Sequence, residues 1–182
     1  MATSGTTSFN ITIDEAIEEA YERCGVRTNS GHDIKSARRS LNLLFSEWGN
    51  RGINLWKVKS ETLTLVNGTA TYNTPSDCND VLEAVVTTTG GTQQTLTKIS
   101  RSEYIAIPNK TDTGTPSQYY VNRQITPTIS LYLAPDTSAV TNIFYYYLAR
   151  IQDTGAYSNT TDMPFRFYPC MVSGLAFYLS QK

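Results

Sequence analysis

The sequence predicts an α+β protein, in which a three-helix bundle (two N-terminal helices plus one C-terminal helix) carries an inserted β domain. Apolar residues recur at the helical period near both ends of the chain, whereas the middle alternates at a period of two. Threonine and tyrosine, which suit half-buried pleated surfaces, are plentiful. We therefore expect an arm and helical hairpin in 1–54, a mostly antiparallel β domain of about six strands and one short helix in 55–152, and a loop and closing helix in 153–182.

Composition narrows the class of protein. The chain has 182 residues and a net charge of -1, which argues against a general nucleic-acid binder that relies on a basic surface. Its three cysteines have no metal-ligand or redox spacing, so we expect reduced, mostly buried thiols. The polar start of the chain does not look like a signal peptide, and no run is apolar enough to span a membrane. We expect synthesis in a cytoplasm and no membrane partner.

The first helix has a clear start and two distinct faces. Thr12 and Glu15 have the spacing of a capping box, and Gly25 should close the helix. One face is apolar. The other carries an acidic set that is either a solvated face or a functional patch: Glu15, Glu18, Glu19 and Glu22.

The second helix is the longest element that the sequence predicts. Residues 28–32 should form a loop, with Ser30 or Asp33 as the N-cap. An apolar stripe then runs from Ile34 to Trp48 at the helical period. Two such helices joined by a short loop should form an antiparallel hairpin.

The middle of the chain reads as strands separated by turns. Residues 57–66 should form a hairpin with 69–72, because Asn67-Gly68 favours a type I′ turn. The run 143–148 is apolar on both faces, so we expect a central strand rather than an edge. A short helix is predicted at 101–107, and further strands at 81–88, 94–99, 117–123, 128–133 and 142–151.

The closing helix has an ambiguous start. Pro164 suits a first helical turn, whereas Pro169 would mark either a kink or the true beginning. The apolar period continues up to Lys182, so we expect further packing partners near this end of the chain.

The sequence holds no recognisable catalytic or cofactor chemistry. His32, the only histidine, lies in a loop before a helix, where a surface or capping role is favoured over catalysis. No phosphate-binding glycine loop occurs, and no metal site is predicted. Asp77, Asp80 and Glu83 could hold a hard cation, but a turn cap and an exposed sheet face are the favoured interpretation. We therefore predict no enzyme and no cofactor.

One basic and aromatic cluster has two interpretations. Its rings could stack on nucleic-acid bases beside phosphate-binding cations, or the tryptophans could anchor a core or an interface with the cations on a wet face. The helical spacing of Trp48 favours the second interpretation. The cluster comprises Trp48, Trp56, Tyr72, Arg38, Arg39, Arg51, Lys57 and Lys59.

Four stretches, in this order, resemble the head-to-tail adaptor proteins of short-tailed bacteriophages, the tail accessory factors and tail tubular A-type proteins. The most specific is the second, which joins a long helix through Leu55-Trp56 to a strand, an Asn-Gly turn and a Pro-Ser-Asp segment. The four stretches are IDEAIEEAYERCG, ARRSLNLLFSEWGNRGINLWKVKSETLTLVNGTATYNTPSDCNDVLEAV, IFYYYLARIQD and MPFRFYPCMVSGLAFYLSQK.

The resemblance implies a structural subunit of the virion head-tail junction, made in the host cytoplasm. Such adaptors form a ring, usually a dodecamer, that docks beneath the portal protein, links it to the tail tube or nozzle protein, and lines part of the channel through which DNA leaves. DNA would pass without sequence-specific binding. The family's C-terminal extension into the portal is expected to be absent or very short in a chain ending at Lys182. The family offers no catalytic residues.

Interface residues are the functional candidates. We expect the acidic first helix to face the basic second helix, with Arg38 and Arg39, of a neighbouring subunit, while aromatic burial supplies most of the affinity. The candidates are Glu15, Glu18, Glu19, Glu22, Arg38, Arg39, Trp48, Trp56 and Tyr178. Two alternatives stay open: a β-rich glycan- or protein-binding module of a virion tail, and a cell-wall-degrading virion enzyme.

Overall fold

The computed structural model describes residues 4–7, 9–27 and 30–182 of the chain, which divides into two compact units. The helical unit lies within Met1–Trp56 and Ile151–Lys182, and the sheet unit is Lys57–Arg150. A mixed α+β fold is confirmed, with four α-helices and ten strands among the described residues, more strands than the six expected. Parts of the predicted arm and of the predicted 28–32 loop lie outside the described residues.

The helices are α1 (Ile13–Arg23), α2 (Gly31–Asn50), α3 (Arg101–Ala106) and α4 (Tyr168–Ser180). The strands are β1 (Val58–Thr64), β2 (Thr71–Asn73), β3 (Cys78–Thr88), β4 (Gln93–Thr95), β5 (Thr97–Lys98), β6 (Thr113–Gly114), β7 (Gln118–Asn122), β8 (Thr128–Tyr132), β9 (Ala134–Pro135) and β10 (Val140–Ala149).

Side-chain caps fix where α1 and α2 begin. The Thr12 and Glu15 capping box is confirmed. At α2, the Ser30 hydroxyl accepts a hydrogen bond from the Asp33 backbone N–H at 3.3 Å. The cap is therefore Ser30, and placing His32 in a loop was wrong, because the helix has already begun at Gly31.

The core of the helical unit draws on α1, α2 and α4. Ile17, Leu41 and Leu175, one from each helix, are all almost fully buried in one cluster. A single 3-10 turn, Phe165–Phe167, precedes α4. Pro169 lies in the first turn of α4 and so marks the true start of the helix, where its missing N–H leaves no intrahelical hydrogen bond unmade.

The sheet unit contains two four-stranded sheets that share one core. Their strand orders are β1-β10-β3-β4 and β2-β8-β7-β5, and β6 pairs separately with β9. Tyr145 on β10 and Tyr119 on β7 are both buried in the shared core. The prediction that 143–148 forms a central strand is confirmed, because β10 lies between β1 and β3.

The predicted hairpin around Asn67-Gly68 was wrong. The turn itself exists, with Gly68 at a φ of 70° and the Thr69 N–H bonded to the Val66 carbonyl at 3.1 Å. However, β1 pairs antiparallel with β10 and β2 pairs with β8, in different sheets. The β1–β10 ladder extends along all seven residues of β1, more than the short β2 could offer.

The three cysteines are free, as expected, but only Cys78 is buried. Cys24 is half-buried and Cys170 is exposed, so the expectation of mostly buried thiols was wrong for these two positions.

Candidate assembly surfaces

The four glutamates of α1 divide into two pairs with different tasks. Glu15 accepts hydrogen bonds from the Thr12 backbone N–H at 2.8 Å and from the Thr12 hydroxyl at 2.7 Å, and the pKa of its carboxyl is lowered mainly by that backbone bond. Glu19 forms an ion pair with Arg23 at 2.8 Å within the same helix. Both carboxylates are therefore engaged inside α1 itself.

Glu18 and Glu22 form the acidic stripe, the part of this face that is open. Both are exposed, and neither has an ion pair with any described residue. They are one helical turn apart and line a shallow depression of about 290 Å³ with Val26 and Arg27. The acidic stripe can therefore accept a cationic partner without breaking an ion pair between described residues.

The basic face of α2 divides in the same way. Arg38 is half-buried, donates from Nη1 to the Gly155 carbonyl at 3.0 Å, and lies 5.0 Å from the centre of the Tyr157 ring. It therefore fastens the segment before α4 to α2. Lys35 and Arg39, by contrast, are exposed and have no ion pair with any residue that the structure describes.

Lys35 and Arg39 form the basic stripe, which lines a second depression of about 330 Å³ together with Arg38 and Asn42. Lys35 was missed as a candidate from sequence. Its spacing from Arg39 is one helical turn, the signal that would have revealed it. The two stripes match in length and are opposite in charge.

The structure places both candidate tryptophans against the core of the helical unit. The Trp56 ring lies 4.4 Å from that of Phe167, and Trp48 meets Phe167 edge-on at 5.8 Å. Both tryptophans are half-buried. Trp48 and Trp56 therefore pack against the core of the helical unit, while part of each side chain stays exposed.

Tyr178 connects α4 to α2. Its hydroxyl donates to the Glu47 carboxylate at 2.5 Å, and Arg51 also pairs with Glu47. The hydrogen bond from Tyr178 is the main cause that lowers the pKa of Glu47, and the same bond raises the pKa of Tyr178.

Several large apolar side chains of the helical unit are open to solvent. Leu43 on α2 and Phe177 on α4 are 57% and 61% exposed. Phe9 and Phe165 form an exposed ring pair with centroids 5.3 Å apart, beside a groove of about 770 Å³ that α1 and the start of α4 line. Sequence reasoning missed these residues, although Leu43 falls off the buried stripe of α2 and could have been recognised.

The residues that could have served in catalysis or cation binding make contacts that are ordinary for surface side chains. His32 is exposed, and its Nδ1 lies 4.0 Å from the Asp33 carboxylate. Asp77 pairs with Lys59 at 2.7 Å, and Asp80 pairs with cations of the chain as well. Within 4–7, 9–27 and 30–182, no three histidine, cysteine or acidic residues cluster as a metal site would require. Over the same residues, no helix has the length and apolar character needed to cross a membrane.

The family model for the SU10 adaptor protein matches residues 12–180, nearly the whole chain. No curated protein matches the sequence. The resemblance to phage head-to-tail adaptors is thereby confirmed, and the chain belongs to the SU10 adaptor protein family.

Proposed function

We propose that this chain is the structural subunit of a phage head-to-tail adaptor, a ring beneath the portal that joins it to the tail. The observation that carries the proposal is the family match over residues 12–180. The subunit would be made in the host cytoplasm, reside at the head-tail junction of the virion, and act without catalysis. Its partners would be other copies of itself, the portal protein and a tail tube or nozzle protein.

The ring would close through unlike surfaces of neighbouring copies. In a closed ring each subunit offers one face to one neighbour and a different face to the other. The acidic stripe on α1 and the basic stripe on α2 are two such faces, complementary in charge and open at Glu18, Glu22, Lys35 and Arg39. We assign the subunit contact to these stripes, with Glu15, Glu19 and Arg38 supporting them from within the chain.

Charge alone would hold this contact weakly. An exposed ion pair contributes only ~0.2–1 kcal/mol, so apolar burial must supply most of the affinity. The exposed Leu43 and Phe177 lie in the same unit and are suited to this role. Trp48, Trp56 and Tyr178 would hold α2 and α4 in the arrangement that leaves Leu43 and Phe177 exposed for this contact.

We propose that α1, α2 and α4 act as a three-helix bundle that forms the ring, and that residues 1–54, 55–152 and 153–182 are its functional divisions. A dodecamer is the expected copy number. DNA would cross the central channel without being read by sequence.

The test is reciprocal charge reversal, followed by sedimentation and electron microscopy at low salt. Lys35→Glu with Arg39→Glu should shift rings to smaller species, and adding Glu18→Lys with Glu22→Lys should restore them. Arg150→Glu, which changes an exposed cation of the sheet unit, is the control. Rings that persist unchanged in the Lys35 and Arg39 variant would refute the assigned contact, and a protein that stays monomeric with and without portal would refute the adaptor ring itself.

A further inference from the structure

An open cleft in the sheet unit gathers cations from separate segments. Its volume is about 610 Å³, and it lies beside β5, α3 and the end of β7. Lys98 comes from β5, Arg101 from the start of α3, and Arg123 directly follows β7. Ser100 and Tyr120 add hydroxyl groups to the same lining.

The carboxylate nearest these cations is shared between two of them. Asp80 accepts from the Lys98 ammonium at 2.8 and 2.9 Å and from Arg123 Nη2 at 2.7 Å. Lys98 also donates to the Val81 carbonyl at 2.7 Å, which fixes its position. One negative charge therefore faces two positive charges.

Asp80 lies beside the cleft, whereas Glu103 belongs to the lining itself and is already engaged. Glu103 accepts from the Ser100 backbone N–H at 2.6 Å as half of the capping box of α3. Arg101 is exposed and has no ion pair with any residue that the structure describes. Three cations against two occupied carboxylates leave the cleft with one positive charge in excess.

The donors surrounding this charge suit an oxyanion. Guanidinium and hydroxyl groups reach the cleft from two separate stretches, 98–101 and 120–123. A planar carboxylate is matched by one guanidinium fork, whereas a tetrahedral phosphate can accept from several donors at once. The Tyr120 ring is stacked on that of Tyr104 at 5.2 Å, so this wall of the cleft is held in place.

We propose that the cleft formed by Lys98, Arg101 and Arg123 binds a phosphate group, either as a free ion or in the backbone of duplex DNA. The inference does not depend on ring formation, because all its residues belong to the sheet unit of one chain. It adds a ligand site to a protein for which the proposed function assigns only assembly surfaces.

The experiment titrates two probes against the full chain at low ionic strength. Orthophosphate binding is followed by calorimetry, and a fluorescent short DNA duplex is followed by anisotropy. Arg101→Gln and Arg123→Gln each remove one cation of the cleft, and each should weaken orthophosphate binding about tenfold. Arg150→Gln removes the same charge elsewhere in the sheet unit and should change it by no more than about twofold.

Asp80→Asn supplies a test in the opposite direction, because it removes the carboxylate that competes with the anion. It should tighten orthophosphate binding, a result that a merely structural role of Asp80 would not produce. Arg101 forms no ion pair with the described residues that could be lost, so Arg101→Gln keeps the test decisive if circular dichroism shows that another variant has lost its fold.

The two probes separate the sources of phosphate. If the cleft variants weaken the binding of both orthophosphate and the DNA duplex, the site is supported and its ligand is DNA. If they weaken the binding of orthophosphate alone, the site is supported and its ligand is the free phosphate ion. The proposal is overturned if neither probe binds the unsubstituted chain, or if Arg150→Gln weakens binding as much as the cleft variants do.

Discussion

At the scale of single residues, some charged side chains form contacts within the chain, whereas others are open to solvent. The internal role of Glu15 was readable, because its partner lies three positions away in a capping box. The Glu19–Arg23 pair was not predicted, although its four-residue spacing on one helix could have revealed it. The role of Arg38 was not readable, since its partner Gly155 lies 117 positions further along the chain. The spacing of residues in the sequence predicts contacts within one helix, but it does not predict contacts between residues that are distant in the chain.

Replacing Tyr178 by Phe should raise the pKa of Glu47 toward its ordinary value, because the Tyr178 hydroxyl is the main cause that lowers it. A carboxyl with a depressed pKa stabilises the fold above its unfolded pKa, and this contribution fades as the pH falls through the folded pKa. The link between α4 and α2 therefore weakens on acidification below about pH 4. Carboxyl NMR titration measures the shift, with Tyr146→Phe as the control; an unmoved Glu47 pKa would contradict it.

Removing the hydroxyl group from two buried tyrosines should change the free energy of unfolding differently. The Tyr145 hydroxyl is buried without a hydrogen-bond partner among the described residues, whereas Tyr119 donates to the Leu82 carbonyl at 3.1 Å. Burial raises the pKa of Tyr119 to about 12. Tyr119→Phe should lower the free energy of unfolding by about 1 kcal/mol, while Tyr145→Phe should leave it unchanged or raise it.

Urea denaturation of the two tyrosine variants measures these differences directly. A loss in Tyr145→Phe that equals the loss in Tyr119→Phe would show that the Tyr145 hydroxyl has a partner after all.

At the scale of elements, strand existence was easier to predict than strand pairing. The apolar run of 143–148 correctly indicated a central strand, although only one of its faces is fully buried: Tyr145 lies in the core, whereas Tyr146 is 45% exposed. The Asn-Gly turn indicated a hairpin, yet Val58 of β1 pairs with Leu148 of β10. The turn residues determine that the chain reverses direction. The strand that pairs with β1 is determined instead by the longer β1–β10 ladder and by the shared core of the two sheets. The two-residue strands β6 and β9 carry no periodic signal and were not predicted, whereas β5 lies within the strand predicted at 94–99.

Helix α4 approaches α2 closely at Gly174. A Cβ atom at this position would lie 2.9 Å from Leu44 Cδ2 and 3.6 Å from Trp48 Cζ2. Gly174→Leu should therefore lower the free energy of unfolding by about 1–3 kcal/mol through overpacking. Gly49, in α2, has open space at its Cβ position, so Gly49→Leu is the matched control and should not be destabilised by crowding. Equal losses in both variants would argue against close packing at Gly174.

At the scale of the whole molecule, the adaptor role rests on surfaces rather than on a reaction centre. The order of elements and the family resemblance were readable from the sequence, because helical stripes and strand patterns cover most of the chain. The division between engaged and open charges was not, since it depends on contacts that only the folded chain makes. The cleft beside Asp80 was missed for the same reason, because its cations come from β5, the start of α3 and the residue after β7, which only folding brings together.

Exposed apolar residues should matter for assembly and not for folding. Leu43→Lys and Phe177→Lys should change the free energy of unfolding by no more than about 0.5 kcal/mol, since both side chains already face solvent. The same variants should shift sedimentation toward smaller species, because burial of these side chains would hold neighbouring copies together. Ile125→Lys, at an exposed position of the sheet unit, is the control. Rings that form normally in all three variants would place the contact elsewhere.

The discontinuous make-up of the helical unit sets an order of events during synthesis. Its core needs Met171 and Leu175 as well as Ile17 and Leu41, so it is completed only after α4 has left the ribosome. The sheet unit is one uninterrupted stretch and can fold while translation continues. The assembly surfaces proposed on the helical unit would therefore form after the sheet unit, which would keep newborn chains from associating before α4 has been made.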